Sequence, residues 1–278
     1  MSFIIQGKSN IKYLSIVVIL AVPAAAGIFL YQQNLNKKSV ESSVQEQQQT
    51  QQTQTTDDSS SADDQDQTSF TCGDTVTFIY KGGSVTYGTV EHNSECWMDR
   101  NLGATQVATA FDNSAAYGDL FQWGRLDDGH QARNSGTAIV LSGSSNPGHS
   151  NFIYGMGGMG SPYDWVSPQI ESLWQGVSGT NNPCPSGWRI PTEAEWVAER
   201  TSWSQRNYDG AFASPLKLTV AGYRDPSSAT VSNAGVYGDY WSSTVSVPYS
   251  RGLGFGSDGA EMSNGGRATG FSVRCVKD

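Results

Sequence analysis

Between Tyr13 and Tyr31 the chain carries no charge and is almost wholly apolar, broken only by Ser15, Pro23 and Gly27. About 20 such residues span the hydrocarbon core of a bilayer. Residues 13–31 are therefore expected to form a transmembrane anchor, with residues 1–12 in the cytoplasm, where Lys8 and Lys12 suit the positive-inside rule. Lys37 and Lys38 on the far side weaken that orientation. A cleavable signal peptide, cut near Ala24-Ala25-Ala26, is the rival reading. Ile28, Phe29 and Leu30 continue the apolar run past that point and favour an uncleaved anchor, and either way the remainder is exported. Residues 32–69 are dominated by Gln, Thr, Ser and Asp with almost no large apolar side chain. Such a segment buries too little surface to offset its ordering entropy, so a disordered stalk is expected, spanning about 30 Å as a coil.

From Phe70 on, the pattern changes to short alternating runs. Thr75–Tyr80 and Ser84–Val90 are β-branched and aromatic and flank Lys81-Gly82-Gly83, the signature of a β-hairpin. Thr192-Glu-Ala-Glu195 is a capping box, so a helix is expected over 193–202 with Trp196 on its inner face. Glu193, Glu195 and Glu199 are read as acids that favour a helix N-terminus rather than as a glycosidase pair. A second helix is expected over 115–123. In Arg251-Gly-Leu-Gly-Phe-Gly256, strict alternation sends Leu253 and Phe255 to one face and Gly252, Gly254 and Gly256 to the other. Phe271-Ser-Val-Arg-Cys275 alternates again, with Phe271, Val273 and Cys275 inward. The fold class is α+β: residues 70–278 form a head of two short helices and small antiparallel sheets.

Composition supports a loop-rich, extracytoplasmic head: only 15% of residues are charged, and there are 31 Gly and 8 Trp, every Trp in the head. The net charge is -9, and the head holds 13 of the 17 basic and 19 of the 26 acidic residues. That excludes a nucleic-acid partner, which requires a basic footprint. Cys72, Cys96, Cys184 and Cys275 form no CxxC pair and read as two disulfides. Three pairings are possible. Cys72 and Cys96 bracket the hairpin, and the terminal strand suits Cys275 to Cys184, a long loop whose closure stabilises by a few kcal/mol. No catalytic residue, metal ligand set or cofactor is expected. Gly155–Gly160 and Gly254–Gly259 match GxGxxG literally, but neither precedes a helical pattern. Asp127-Asp128-Gly129 reads as a turn, since the other ligands of a calcium loop are missing.

Several phrases carry a family resemblance: Cys96-Trp-Met-Asp-Arg-Asn-Leu102, Tyr117-Gly-Asp-Leu-Phe-Gln-Trp123, Cys184-Pro-Ser-Gly-Trp-Arg-Ile-Pro-Thr192, Tyr240-Trp-Ser-Ser243 and Phe271-Ser-Val-Arg-Cys-Val-Lys-Asp278. Across nearly the whole head they resemble the Fibrobacter major paralogous domain family, which implies a C-type-lectin-like fold. The last third, about 222–278, resembles the variable region of proteins diversified by retroelements. That resemblance implies a fixed frame at Gly222-Tyr-Arg224, Gly238, Tyr240-Trp-Ser-Ser243, Arg251, Leu253, Phe255, Met262, Arg267-Ala268 and Gly270-Phe271.

The same resemblance implies a ligand site at the residues between: Asp225, Ser227, Ser228, Ser232, Asn233, Tyr237, Asp239, Tyr249, Gly252, Gly254, Gly256, Ser257, Asp258, Gly259, Ser263, Asn264, Gly265, Gly266 and Thr269. Each of these residue types arises from an AAY codon by changing adenines. Glu261 does not, and Ala229 and Val236 are ambiguous. Within this site Tyr237 and Tyr249 are expected as rim anchors, the three strand glycines as a low floor, and Asp225, Asp239 and Asp258 as a bias toward a basic or hydroxyl-rich partner. The expected function is a membrane-anchored, surface-displayed binder of a protein or glycan ligand. A non-diversified adhesin or carbohydrate-binding module is the alternative, and an enzyme of the formylglycine-generating type the third reading.

Overall fold

The computed structural model describes residues 70–155 and 163–278. The expected N-terminus, anchor and stalk lie outside these residues, as does most of Gly155–Gly160. Among the described residues no helix is long and apolar enough to cross a membrane. Residues 68–278 make up one compact unit of mainly small antiparallel sheets with few helices, the short pair at 137–138 and 152–153 being parallel.

Strands β1 (Val76–Tyr80) and β2 (Gly83–Tyr87) form the expected hairpin. Its tight turn is made by Lys81 and Gly82, both at positive φ (51° and 77°), which matches the right-handed twist of the strands. Strands β3 (Thr89–His92) and β4 (Glu95–Met98) follow. Cys72–Cys96 links the segment before the hairpin to β4, the expected pairing.

The helix expected over 115–123 does not form. Only one 3-10 turn, Ser114–Ala116, is present, and Phe121–Gln122 is strand β5. Gly118 sits at φ 68°, and a Cβ there would lie 2.6 Å from the Leu102 carbonyl oxygen. The amides that a helix would use reach distant carbonyls instead, Asp119 to Leu102 and Trp123 to Arg267. The apolar run is buried on all sides, so its spacing carried no helical face.

Short strands β6 (Thr137–Ala138), β7 (Phe152–Ile153) and β8 (Trp188–Arg189) lead to α1 (Glu193–Ser202). Its capping box is complete: the Thr192 hydroxyl accepts from the Glu195 amide and the Glu195 carboxylate accepts from the Thr192 amide at 2.6 Å. Trp196, wholly buried, packs on Trp97 and Tyr240. The second helix of the head is α2 (Tyr208–Ala213), capped by Asn207.

The C-terminal third holds β9 (Tyr223–Arg224), β10 (Val231–Ser232), β11 (Gly238–Ser246), β12 (Tyr249–Phe255), β13 (Ala260–Gly265), β14 (Gly270–Phe271) and β15 (Val276–Lys277). Strands β11, β12 and β13 make one antiparallel sheet; β10, β9, β14 and β5 make a second, and β3, β4, β15 and β8 a third. Residues 272–276 thread between two apolar cores, one around Trp123, Trp165 and Trp241, the other around Trp97, Trp196, Leu253 and Phe255. The expected alternation in this segment is therefore corrected. Ser272 to Val276 are all buried, whereas Phe271 is only half-buried. Arg274 can be enclosed because its guanidinium donates to Asn101 Oδ1 and to the Met98 and Leu216 carbonyls. Cys275 is bonded to Cys184, again as expected.

Candidate functional site

The β11–β12–β13 sheet has two unlike faces because successive side chains alternate. One carries Tyr240, Leu253 and Phe255, wholly buried against Trp196 and Trp203, with Met262 beside them. Leu253 and Phe255 thus anchor the strand as expected, each contributing about 2 kcal/mol by burial. The register places Asp239, Trp241, Gly252, Gly254 and Ser263 on the opposite face.

That opposite face is not the bare floor expected. Asn233 (φ 56°) and Gly235 (φ 84°) turn the chain so that the Tyr237 amide donates to the Asn233 carbonyl at 2.9 Å. The Tyr237 ring then lies on β12: a Cβ at Gly256 would be 2.7 Å from its Cδ2, and one at Gly254 would be 3.2 Å from its hydroxyl. Phe271 lies over Gly252 and Gly265 and packs on Trp241 with centroids 4.3 Å apart. Gly252, Gly254 and Gly256 are buried, so the solvent-facing reading of these three is corrected: two aromatic rings from flanking segments cover the strand.

On either side of Tyr237 the surface is concave. A hollow of about 310 Å³ is lined by Asn233, Tyr237, Asp239, Asn264, Gly265, Gly266 and Thr269, all expected site residues, and by Tyr223, Pro226 and Phe271, which were not. A second, of about 400 Å³, is lined by Tyr237, Gly256, Ser257, Asp258 and Gly259 together with Val236, Ala260 and Glu261. Eight expected residues line neither: Asp225, Ser227, Ser228, Ser232, Tyr249, Gly252, Gly254 and Ser263. Tyr249 meets Tyr163 edge-on at 5.2 Å and flanks the first hollow rather than anchoring its rim. Asp225 is spent on its own loop, accepting from the Ser227 and Ser228 amides at 2.7 and 2.8 Å. Asp258 is engaged by the Ser257 hydroxyl.

Buried arginines hold the walls. Arg224 stacks on Phe152 at 4.3 Å and donates to the Ala229, Ala132 and Ser135 carbonyls, fixing the 225–230 loop. Arg267 stacks on Trp123 at 4.6 Å and donates to the Tyr249 carbonyl and the Ser250 hydroxyl, fixing the turn after β13. Glycines of the expected frame are sterically required. A Cβ at Gly238 would be 2.4 Å from Phe255, and Gly222 (φ 69°) would meet the Ser232 carbonyl at 2.2 Å. At Gly259 nothing lies within 4 Å.

Four acidic side chains are buried among the described residues: Asp119, Asp164, Glu199 and Asp239. Asp119 accepts from Tyr80 at 2.8 Å and pairs with Lys81. Asp164 accepts from the Trp165 amide at 2.8 Å and faces Arg267, though burial still pushes its pKa up to about 6. Glu199 accepts from Trp203 at 2.8 Å and faces His92 at 3.0 Å. Asp239 alone has no hydrogen-bond or ion-pair partner for its carboxylate among the described residues, and burial pushes its pKa to about 7. Burial, then the charges of Asp239 and Glu261, also raises the Tyr237 phenol. Neither hollow is lined by Lys or Arg.

Asp127-Asp128-Gly129 is a turn, as expected: Asp128 accepts from Arg125 Nε at 2.8 Å and from His130 Nδ1 at 2.7 Å, and Gly129 has φ 104°. Gly254–Gly259 closes β12 and returns as β13.

No protein-family model, curated protein or solved structure matches this chain. Sequence reasoning missed Tyr223 and Phe271 in the first hollow because it assigned them to the frame. Half-buried aromatics beside forced glycines were the available signal. Glu261 was set aside on codon grounds alone, although it lines the second hollow.

Proposed function

We propose that the chain is a surface-displayed ligand-binding protein with a C-type-lectin-like head, resembling the Fibrobacter major paralogous domain family. Its site is diversified by a retroelement and borne on the 13–31 anchor and 32–69 stalk. The observation that carries this reading is a clustering, in which the frame residues Tyr223 and Phe271 also take part. Residues assigned to the frame, such as Arg224, Tyr240, Trp241, Leu253, Phe255, Arg267 and Ala268, are buried. Eleven residues assigned to variation gather in two adjoining hollows around Tyr237. Variation there changes a surface while the core stays intact. The ligand is a protein or glycan outside the cytoplasm, and the chain acts by binding rather than by catalysis. An enzyme of the formylglycine-generating type needs reactive thiols; here all four cysteines are paired and Cys184–Cys275 is buried.

Sequencing the DNA that encodes 222–278, with its flanks, across many cells of one population tests the proposal. Changes confined to the named positions and matching adenines of a nearby template are expected. A uniform sequence without a template would replace the reading with a fixed lectin-like adhesin.

A further inference from the structure

Asp239 is the exception among the buried acids. The other three have donors or cations against them, as buried charges require. Asp239, 8% exposed, has neither, yet it opens into the first hollow beside three half-buried aromatic side chains, Tyr223, Tyr237 and Phe271. Tyr237 and Asp239 converge on one spot: a Cβ at Gly254 would be 3.2 Å from the tyrosine hydroxyl and 3.4 Å from Asp239 Oδ1. An unpartnered carboxylate costs stability unless something else supplies the counter-charge. Aromatic faces attract cations through their quadrupole, the arrangement proteins use for ammonium ligands. With no Lys or Arg lining the hollow, nothing in it repels a cation.

We propose that the hollow takes its ligand through an ammonium group, seated against the Asp239 carboxylate and ringed by Tyr223, Tyr237 and Phe271. This rests on the reading of the hollow as the binding site and names the chemistry it selects. The ammonium arises either as a primary amine, as on a lysine side chain or an amino sugar, or as a quaternary headgroup.

Ligand-observed NMR on the full chain tests this with two cationic probes and their neutral isosteres: n-butylammonium against 1-butanol, and choline against 3,3-dimethylbutan-1-ol. At least one cation is expected to bind more than tenfold tighter than its isostere, and the tighter of the two identifies the source. Asp239→Asn, which keeps shape and removes charge, is expected to weaken that probe at least tenfold. Glu91→Gln, an exposed acid on β3 outside both hollows, is expected to leave it within twofold. Equal binding of the isosteres, an Asp239→Asn effect under twofold, or no binding of either cation at millimolar concentration would overturn the proposal. Failure here with diversified DNA removes only the ammonium assignment. Ammonium binding with uniform DNA removes only the diversification.

Discussion

The two faces of the β11–β12–β13 sheet share a backbone and differ in almost everything else. The inner face is closed by large side chains, Tyr240, Leu253 and Phe255, packed on α1 and the loop after it. The outer face carries Asp239, Trp241, Gly252, Gly254 and Ser263, with Glu261 opposite Gly254, and is covered by Tyr237 and Phe271 from neighbouring segments. If the outer face is the binding site, substitutions should cost more on the inner face than on the outer. A site can change on such a sheet only if the costs of substitution divide the same way.

The largest effects are expected on the inner face. Leu253→Ala leaves a cavity in a wholly buried cluster and should cost about 3–4 kcal/mol. Gly238→Ala forces a methyl to within 2.4 Å of Phe255 and should cost about 2–3 kcal/mol. Denaturant unfolding of the full chain measures both. Losses under 1 kcal/mol would break the comparison, because the frame would then be as permissive as the site.

Next come two buried groups with opposite pH dependence. His130 donates from Nδ1 to Asp128 and accepts from the Gln122 amide at Nε2, so it is neutral, and burial holds its pKa near 4, below the usual 6.5. Its folded pKa is depressed, so the stability it contributes is complete above pH 6.5 and is lost as pH falls toward 4. Asp239 is raised from 3.8 to about 7. Below pH 3.8 it carries no penalty; the cost grows as pH rises and is full above 7. At about 1.4 kcal/mol per unit, Asp239→Asn should stabilise the chain by a few kcal/mol at pH 8 and by nothing near pH 4. The decline between pH 6.5 and 4 should remain in that variant. Thermal melts across this range check both signs; a destabilised Asp239→Asn at pH 8 would mean the fold, rather than a ligand, uses the carboxylate. Ammonium binding should likewise strengthen as pH rises from 6 to 8, by about tenfold for one group titrating near 7. The other titratable groups facing that carboxylate are Tyr223, Tyr237 and Glu261.

How much of this was legible in the sequence follows from which forces act locally. The hairpin, the capping box and the Leu253–Phe255 alternation were readable because turn chemistry, capping and strand period are encoded within a few residues. The disulfide pairing was readable from the elements the cysteines flank. The 115–123 segment was not, because its backbone is satisfied by Leu102 and Arg267, far away in the chain. The site was half legible. Codon logic named Tyr237 and Asp239, but the fold-back of 233–237 that lays Tyr237 on the strand depends on positive φ at Asn233 and Gly235, which spacing does not reveal. The buried arginines Arg224 and Arg267 were named only through the family resemblance, and their hold on the hollow walls comes from contacts distant in the chain.

The smallest effects sharpen the comparison most. Gly259 has open space where a Cβ would go, so Gly259→Ala should change stability by less than about 0.5 kcal/mol. Gly256 differs, since its Cβ would meet the Tyr237 ring at 2.7 Å. Gly256→Ala should cost about 1 kcal/mol with Tyr237 in place and close to nothing in a Tyr237→Ala background, a coupling that a double-mutant cycle measures directly. If the coupling is present, position 237 sets how large a residue position 256 accepts, and variants of this surface must change the two together. If the two substitutions add, Tyr237 yields without cost, and each position on the outer face is free to vary alone.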